Sequence, residues 1–213
     1  MSVEKVYALS GSIITENLEK IGKVAKALEK NHGQILVVTG AGDLKEHIHA
    51  AGENGNQSEQ DLVGISATRL NAKTLMTAME AYPDTPENAE DIMKAASTGD
   101  NIVMGGLTPG HSTDAVAAIA AEILDAELNI ATTVDGVYDR DPEDKQAKKF
   151  DQISTKELRD IISGNSEAGG YELIDLTAVD IIERSSIKTK IFEGTLENIE
   201  KPEKASGTEI TSE

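Results

Sequence analysis

The sequence predicts an α/β fold in three layers, a mostly parallel central sheet sandwiched by helices. Three observations carry that prediction. Short, nearly continuous apolar runs such as QILVVT (34–39) and ELNIATT (127–133) suit strands covered on both faces. Between them lie longer stretches with apolar residues at helical spacing, as in NLEKIGKVAKALEK (17–30). The two kinds of segment alternate along the chain, the signature of βα units rather than of an all-β or all-α protein.

Taken in order, KVYALS (5–10) is a short β-type run ending at Gly11-Ser12, and 17–30 is an amphipathic helix with Leu18, Ile21, Val24, Ala25 and Leu28 on one side. The strand 34–39 turns through Gly40-Ala41-Gly42 into a helix, DLKEHIHAAG. Residues 58–81 repeat apolar positions at helical spacing, with Pro83 beyond the end. PENAEDIMKAAS (86–97) is predicted as a helix with Pro86 near its first turn and acidic residues after it. NIVMGG is a strand, 113–126 a helix and 127–133 a buried strand. The charged segment VDGVYDRDPEDKQAKK is a loop. It is followed by a capped helix (154–164) ending at Gly164, a helix (173–186) and the short strand KTKIF (188–192). GTEIT (207–211) is expected to supply a last edge strand. No internal repeat or low-complexity linker interrupts this, so a single domain over 1–213 is expected. Its N-terminal lobe would span about 1–133 and its C-terminal lobe about 134–213, with the boundary in the loop 134–146.

The 213 residues suffice for a sizeable core without disulfides. With 3% aromatics, that core must be built from Ile, Val, Leu, Ala and Met. The absence of cysteine excludes a disulfide scaffold, a thiolate metal site and a cysteine nucleophile. MSVEKVYALS lacks the pattern of a signal peptide, and no apolar run reaches the length of a membrane span, so a cytoplasmic protein is expected. Acidic residues outnumber basic ones 38 to 20, for a net charge of −18. That field repels phosphate backbones and anionic lipid, which argues against nucleic-acid and membrane partners. The charge maintains solubility or, in the sharper reading, adapts the protein to high salt, where screening weakens repulsion between surface carboxylates.

In open α/β sheets ligands bind beyond the carboxyl ends of the strands. Three glycine-containing loops leave strand ends here: Gly11-Ser12, Gly40-Ala41-Gly42 and 105–113, the last reading GGLTPGHST. The third nearly matches the Walker pattern G-x-x-x-x-G-K-[ST], but His111 stands at the Lys position and Pro109 removes a donor. What remains is glycines that permit close approach, the hydroxyls of Thr108, Ser112 and Thr113, and a helix start suited to an anion. The ordinary alternative is a plain helix cap, with Ser112 or Thr113 as N-cap and Asp114 in the first turn. Gly40-Ala41-Gly42 fails the dinucleotide fingerprint because Lys45 replaces the third glycine. No protein metal site is read. His47 and His49, two apart on a helix, point to different sides, and DRDPED (139–144) lacks the Gly and Glu of a calcium loop. Ser112 and His111 have no third partner, so hydrolysis is unsupported.

DLVGISATRLNA (61–72), MGGLTPGHSTDAVAAIAAE (104–122), ATTVDGVYDRDP (131–142) and YELIDLTAVDIIERSSI (171–187) together resemble, in order and spacing, the archaeal uridylate (UMP) kinases of the amino-acid-kinase fold. The closing GTEI is similar to that family's final strand. The resemblance implies transfer of the ATP γ-phosphoryl group to UMP, giving UDP and ADP in pyrimidine nucleotide synthesis. It also implies Mg²⁺ carried on the ATP phosphates and a homohexamer. By the family's pattern, Gly11, Ser12 and Gly42 would approach the ATP phosphates, and Thr132, Thr133, Tyr138 and Asp141 would line the site for its nucleoside. Ala41 would meet UMP through its backbone and Asp61 would accept from the UMP sugar. Leu107, Thr108, Pro109, Gly110, His111, Ser112 and Thr113 would wrap its uracil and phosphate. Asp114 matches an acidic position that orients catalytic lysines across the broader fold.

The chain departs from that pattern at four places. Ala8 and Thr133 stand where many relatives carry Lys (or, for the second, Asn), Glu46 stands where close relatives have Arg near ATP, and Ala41 replaces a Gly. These departures leave open where positive charge at the phosphates comes from. They also keep two other readings in view, a non-catalytic nucleotide-binding or storage assembly and another small-molecule kinase of the same fold.

Overall fold

The computed structural model of the chain describes residues 3–30, 33–165 and 173–212. Seven strands form one sheet: β1 (Lys5–Leu9), β2 (Ile35–Thr39), β3 (Ile102–Met104), β4 (Glu127–Thr132), β5 (Gln152–Ser154), β6 (Thr189–Glu193) and β7 (Gly207–Thr211). Their order is β3-β2-β1-β4-β6-β7-β5, and every neighbouring pair is parallel except β6 with β7. The expected mostly parallel sheet is therefore present.

Alternation along the strands sends side chains into two cores. Val6 and Ala8 of β1, Leu36 and Val38 of β2, and Leu128 and Ile130 of β4 pack on one face. There they meet α5 (Ala89–Ala96), α6 (Thr113–Leu124), α7 (Thr155–Asn165) and α8 (Leu176–Arg184). Tyr7, Leu9, Ile35, Val37 and Ala131 face the other side. That side is covered by α1 (Gly11–Thr15), α2 (Ile21–Glu29), α4 (Gln57–Met76) and α9 (Leu196–Glu200). A further helix, α3 (Lys45–Asn54), packs outside on α4 and buries no residue. Helix α6 is buried almost all round, with Ala115, Ala117, Ala118, Ala120 and Ala121 at 0–1% exposure. Its small side chains let it lie close between the sheet and α8.

The structure redraws several element boundaries. Helix α4 ends at Met76 rather than 81, because Thr77 to Glu80 turn the chain so that Ala81 can bridge Asn101. Helix α5 begins at Ala89, and Pro86 lies outside it. Asn88 is the N-cap, its side chain accepting from the Asp91 N–H at 3.0 Å. Ser112 caps α6, accepting from the Ala115 N–H, and Asp125 ends that helix in the left-handed region at φ 52°. Strand β5 and helices α1 and α9 are too short to carry a periodic signal. The expected edge strand 207–211 is interior, between β6 and β5, because its antiparallel pairing to β6 leaves its other side open for β5. Tyr171 and Glu172 of the fourth family segment lie outside the described residues.

Candidate active site

The chain builds outward from β1 through β2 to β3, then returns to lay β4 on the other side of β1. That reversal places a crevice at the carboxyl ends of β1 and β4, the usual ligand position of an open parallel sheet. A cleft of about 420 Å³ lies there, lined by the ends of β1 and β4, the turns 10–12 and 40–43, Lys45, and Thr113 and Asp114 at the start of α6. A larger cavity of about 670 Å³, beside the C-terminal end of α4 and the loop 81–87, gathers none of these strand ends.

The floor of the cleft is two turns in backbone contact. The Gly40 N–H donates to Leu9 C=O at 2.9 Å. A Cβ on Gly11 would come within 2.5 Å of Ala41 C and 2.6 Å of Gly40 C. Gly42 has φ 58°, a conformation costly to any side chain, and a Cβ there would stand 2.5 Å from Gly11 C and O. Only glycine allows the two turns to meet this closely.

Helix α4 holds the loops from one side, through residues recurring along one helical face. Asn71, 3% exposed, donates from Nδ2 to Gly40 C=O at 2.8 Å and Ala41 C=O at 3.0 Å. Thr68 Oγ1 accepts from the Gly106 N–H at 2.8 Å, and Arg69 Nε donates to Gly106 C=O at 3.2 Å. Asp61 Oδ2 accepts from the Gly110 N–H at 2.8 Å, where Gly110 has φ 85°. A single helix thus sets both the 40–42 turn and the 105–110 loop.

Two carboxylates meet at the start of α6. Ser112, while capping α6, also donates its hydroxyl to Asp175 Oδ2. Asp175 in turn caps α8 by accepting from the Ala178 N–H at 3.1 Å. Asp114 is half-buried at the start of α6. That burial, and secondarily the charge of Asp175, push its carboxyl up to about 7.

The structure brings Gly11, Ser12, Ala41, Gly42, Thr113, Asp114, Thr132 and Thr133 together around the cleft. Asp61 reaches the 105–113 loop through Gly110. Leu107 packs on the core, and Thr108, Pro109, Gly110, His111 and Ser112 form an exposed arm leading to Thr113, with Thr108 Oγ1 3.3 Å from His111 Nδ1. Tyr138 and Asp141 stand apart from the cleft lining, on the loop after β4. The Tyr138 hydroxyl donates to Asp135 Oδ1 at 2.7 Å, and Asp135 is held low by Lys149, at 2.9 Å, and by Tyr138. Asp141 Oδ1 accepts from the Glu143 N–H at 2.9 Å. Sequence reasoning misses Lys45, Asn71 and Asp175. Lys45 reads locally as no more than a substitute for the third glycine of a nucleotide fingerprint. The other two lie in family segments, where nothing local distinguishes them from helix-face and cap residues.

The sequence profile of the amino acid kinase family matches residues 4–193. The uridylate kinase of Archaeoglobus fulgidus is 44% identical over 218 residues, covering 96% of this chain and 98% of its own. That of Methanococcoides burtonii is 44% identical over 202 residues, covering 89% and 86%. The crystal structure of the A. fulgidus uridylate kinase superposes with a TM-score of 0.88 at 41% identity, covering 98% of this chain and 100% of that one. The UMP kinase of Ureaplasma parvum, at 19% identity and a TM-score of 0.79, shares the fold, over 99% of this chain and 97% of its own. The sheet order and the match to the family profile, with identity sustained over nearly the whole length, place the chain in the amino acid kinase family, among its archaeal-type uridylate kinases.

Proposed function

We infer that the protein is an ATP-dependent UMP kinase, making UDP and ADP for pyrimidine nucleotide synthesis in the cytoplasm. The observation that carries this is one shared cleft: the Gly11 and Gly42 turns floor it, and the start of α6, fed by the 105–112 loop, forms its wall. ATP occupies the side of Gly11, Ser12 and Gly42, with Thr132, Thr133, Tyr138 and Asp141 toward its nucleoside. UMP lies along Ala41, Asp61 and 107–113. In this division the acceptor lobe is about 1–133 and the ATP lobe about 134–213.

A UMP phosphate oxygen attacks the γ-phosphorus as the bond to the β-phosphate oxygen breaks, and ADP leaves with that electron pair. The acceptor needs no general base, because a phosphate monoester's second pKa is about 6. The site's task is to align two anions and offset their charge. Backbone N–H groups of the glycine turns and the positive end of the 12-residue α6 serve this. Asp114 lines the cleft at the start of α6, its carboxyl raised to about 7 by burial and by the charge of Asp175.

Mg²⁺ carried on ATP fits the donor set. Asp43 and the hydroxyls of Ser12 and Thr113 line the cleft, and the described residues hold no cluster of three or more metal-binding side chains. An ion that arrives with its phosphates needs no more than this. When bound it would neutralise phosphate charge. Among the described residues no helix is long and apolar enough to cross a membrane. Assembly into a hexamer belongs to this reading, and Leu62 and Leu70, 54% and 56% exposed on α4, are apolar surface such contacts would cover. A particle about six times 22.6 kDa is the expected solution mass.

The deciding experiment is a coupled assay of UMP, CMP, AMP and isopentenyl phosphate with Mg-ATP at low and high KCl. Turnover of UMP alone supports the reading, and no UDP at any salt concentration overturns it. Binding of UMP without turnover would point instead to the storage assembly. Asp61→Ala should weaken UMP more than ATP, and equal losses would contradict the division of the site.

A further inference from the structure

Two nucleotide phosphate groups facing each other need positive charge, yet the strand ends of the cleft supply none. Strand β1 ends in Ala8 and Leu9, and β4 in Thr132 followed by Thr133. The ionisable side chains lining the cleft are Asp43, Asp114 and Lys45. Lys45 is therefore the one cation among the described residues that line it.

Its position and its freedom both matter. Lys45 opens α3, directly after the turn Gly42–Leu44 (a single 3-10 turn), and its backbone N–H caps that turn on Gly42 C=O. The turn is fixed against Gly11 by the close backbone packing described above. Lys45 is thereby anchored on the Gly11 and Gly42 side of the cleft. The side chain is exposed and makes no ion pair or hydrogen bond among the described residues. Lys30, Lys149, Lys188 and Lys201 are held by carboxylates, whereas Lys45, like Lys73 and Lys94, is not among the described residues, and of these only Lys45 lines the cleft. An ammonium on a four-carbon stem, with three donors and no fixed partner, suits a polyphosphate that arrives and leaves.

We propose that Lys45 is a binding residue for the polyphosphate chain of the donor nucleotide, supplying the charge that Ala8, Thr133 and Glu46 do not. The proposal rests on the kinase reading, and a direct nucleotide-binding measurement keeps the two separable. Near the solvent-open mouth, the contact is screened by salt.

The test compares wild type, Lys45→Ala, Lys45→Arg and the control Lys94→Ala. Steady-state kinetics and calorimetric titration with ADP are the readouts. The KM for Mg-ATP and the Kd for ADP are expected to rise about tenfold in Lys45→Ala, equivalent to about 1.4 kcal/mol. UMP should be little affected, Lys45→Arg should stay close to wild type, and Lys94→Ala should be unchanged. The wild-type advantage should shrink as KCl is raised. Nucleotide affinities in Lys45→Ala within twofold of wild type would overturn the proposal, as would equal losses for ADP and UMP. If wild type makes no UDP, the kinase reading fails on its own, and the ADP titration still decides for or against Lys45.

Discussion

The contact between the two glycine turns yields the sharpest prediction, because one substitution made at two places should have opposite effects. Gly11→Ala inserts a methyl group 2.0 Å from Gly42 N and 2.5 Å from Ala41 C, so the turns must separate by about 1.4 Å to restore the 3.4 Å of ordinary contact. The obstructing atoms are backbone on both sides, so no side chain can swing away. Overpacking of this kind costs about 1–3 kcal/mol, and the upper end applies where nothing can yield. For a chain of this size about 3 kcal/mol corresponds to roughly 6–12 °C in Tm. Gly22, exposed in the first turn of α2, has nothing within 4 Å of the place its added methyl would take. There the substitution should stabilise by about 0.5–1 kcal/mol, through lower unfolded-state entropy and better helix propensity. Thermal melts followed by circular dichroism read both variants, and ADP titration should show weaker binding for Gly11→Ala alone. A Gly11→Ala protein that melts at or above wild type, with unaltered ADP affinity, would refute the packed-turn account.

Other predictions test the surrounding supports. Asn71→Ala leaves the Gly40 and Ala41 carbonyls without their buried donor and should cost about 1–3 kcal/mol in denaturant unfolding. Asn71→Asp, setting an acceptor against two acceptors, should cost more. For Asp114 the folded state binds the proton more tightly than the unfolded chain, since burial and Asp175 raise its carboxyl to about 7. Its contribution to stability is therefore greatest at low pH and is lost as pH rises from the ordinary carboxylate range through 7. Asp114→Asn carries no such loss, so its Tm relative to wild type should climb between about pH 5 and pH 8, and a flat difference would contradict the burial. With a net charge of −18, Tm should rise with KCl as the Debye length falls from about 10 Å at 0.1 M to about 3 Å at 1 M. A flat or falling Tm would remove the argument for adaptation to salt.

Much of this protein is written in local patterns. The apolar runs of β2 and β4 announce strands buried on both faces, because a strand's own side chains must satisfy both core layers. The alanine-rich stretch of α6 announces a helix, and its burial on nearly every side comes from the sheet and α8. The glycine turns after β1, β2 and β3 mark where a ligand could approach, because open parallel sheets bind beyond the carboxyl ends of their strands. Family segments then name the chemistry that such loops serve.

What the sequence could not reveal were partnerships between distant residues. Hydrophobic periodicity records whether a position is buried, and it is silent about which segment buries it. The placement of β7 between β6 and β5, instead of at the edge, depends on pairing across the whole sheet. Asn71 and Thr68 look like ordinary helix-face residues, and the Gly110 partner of Asp61 is invisible, until the packing of α4 sets all three against loops 31 to 49 positions away in the chain. The proton affinity of Asp114 and the isolation of Lys45 belong to the assembled cleft as well. Charge interactions depend on distance and desolvation, and both come into being only when the chain is folded.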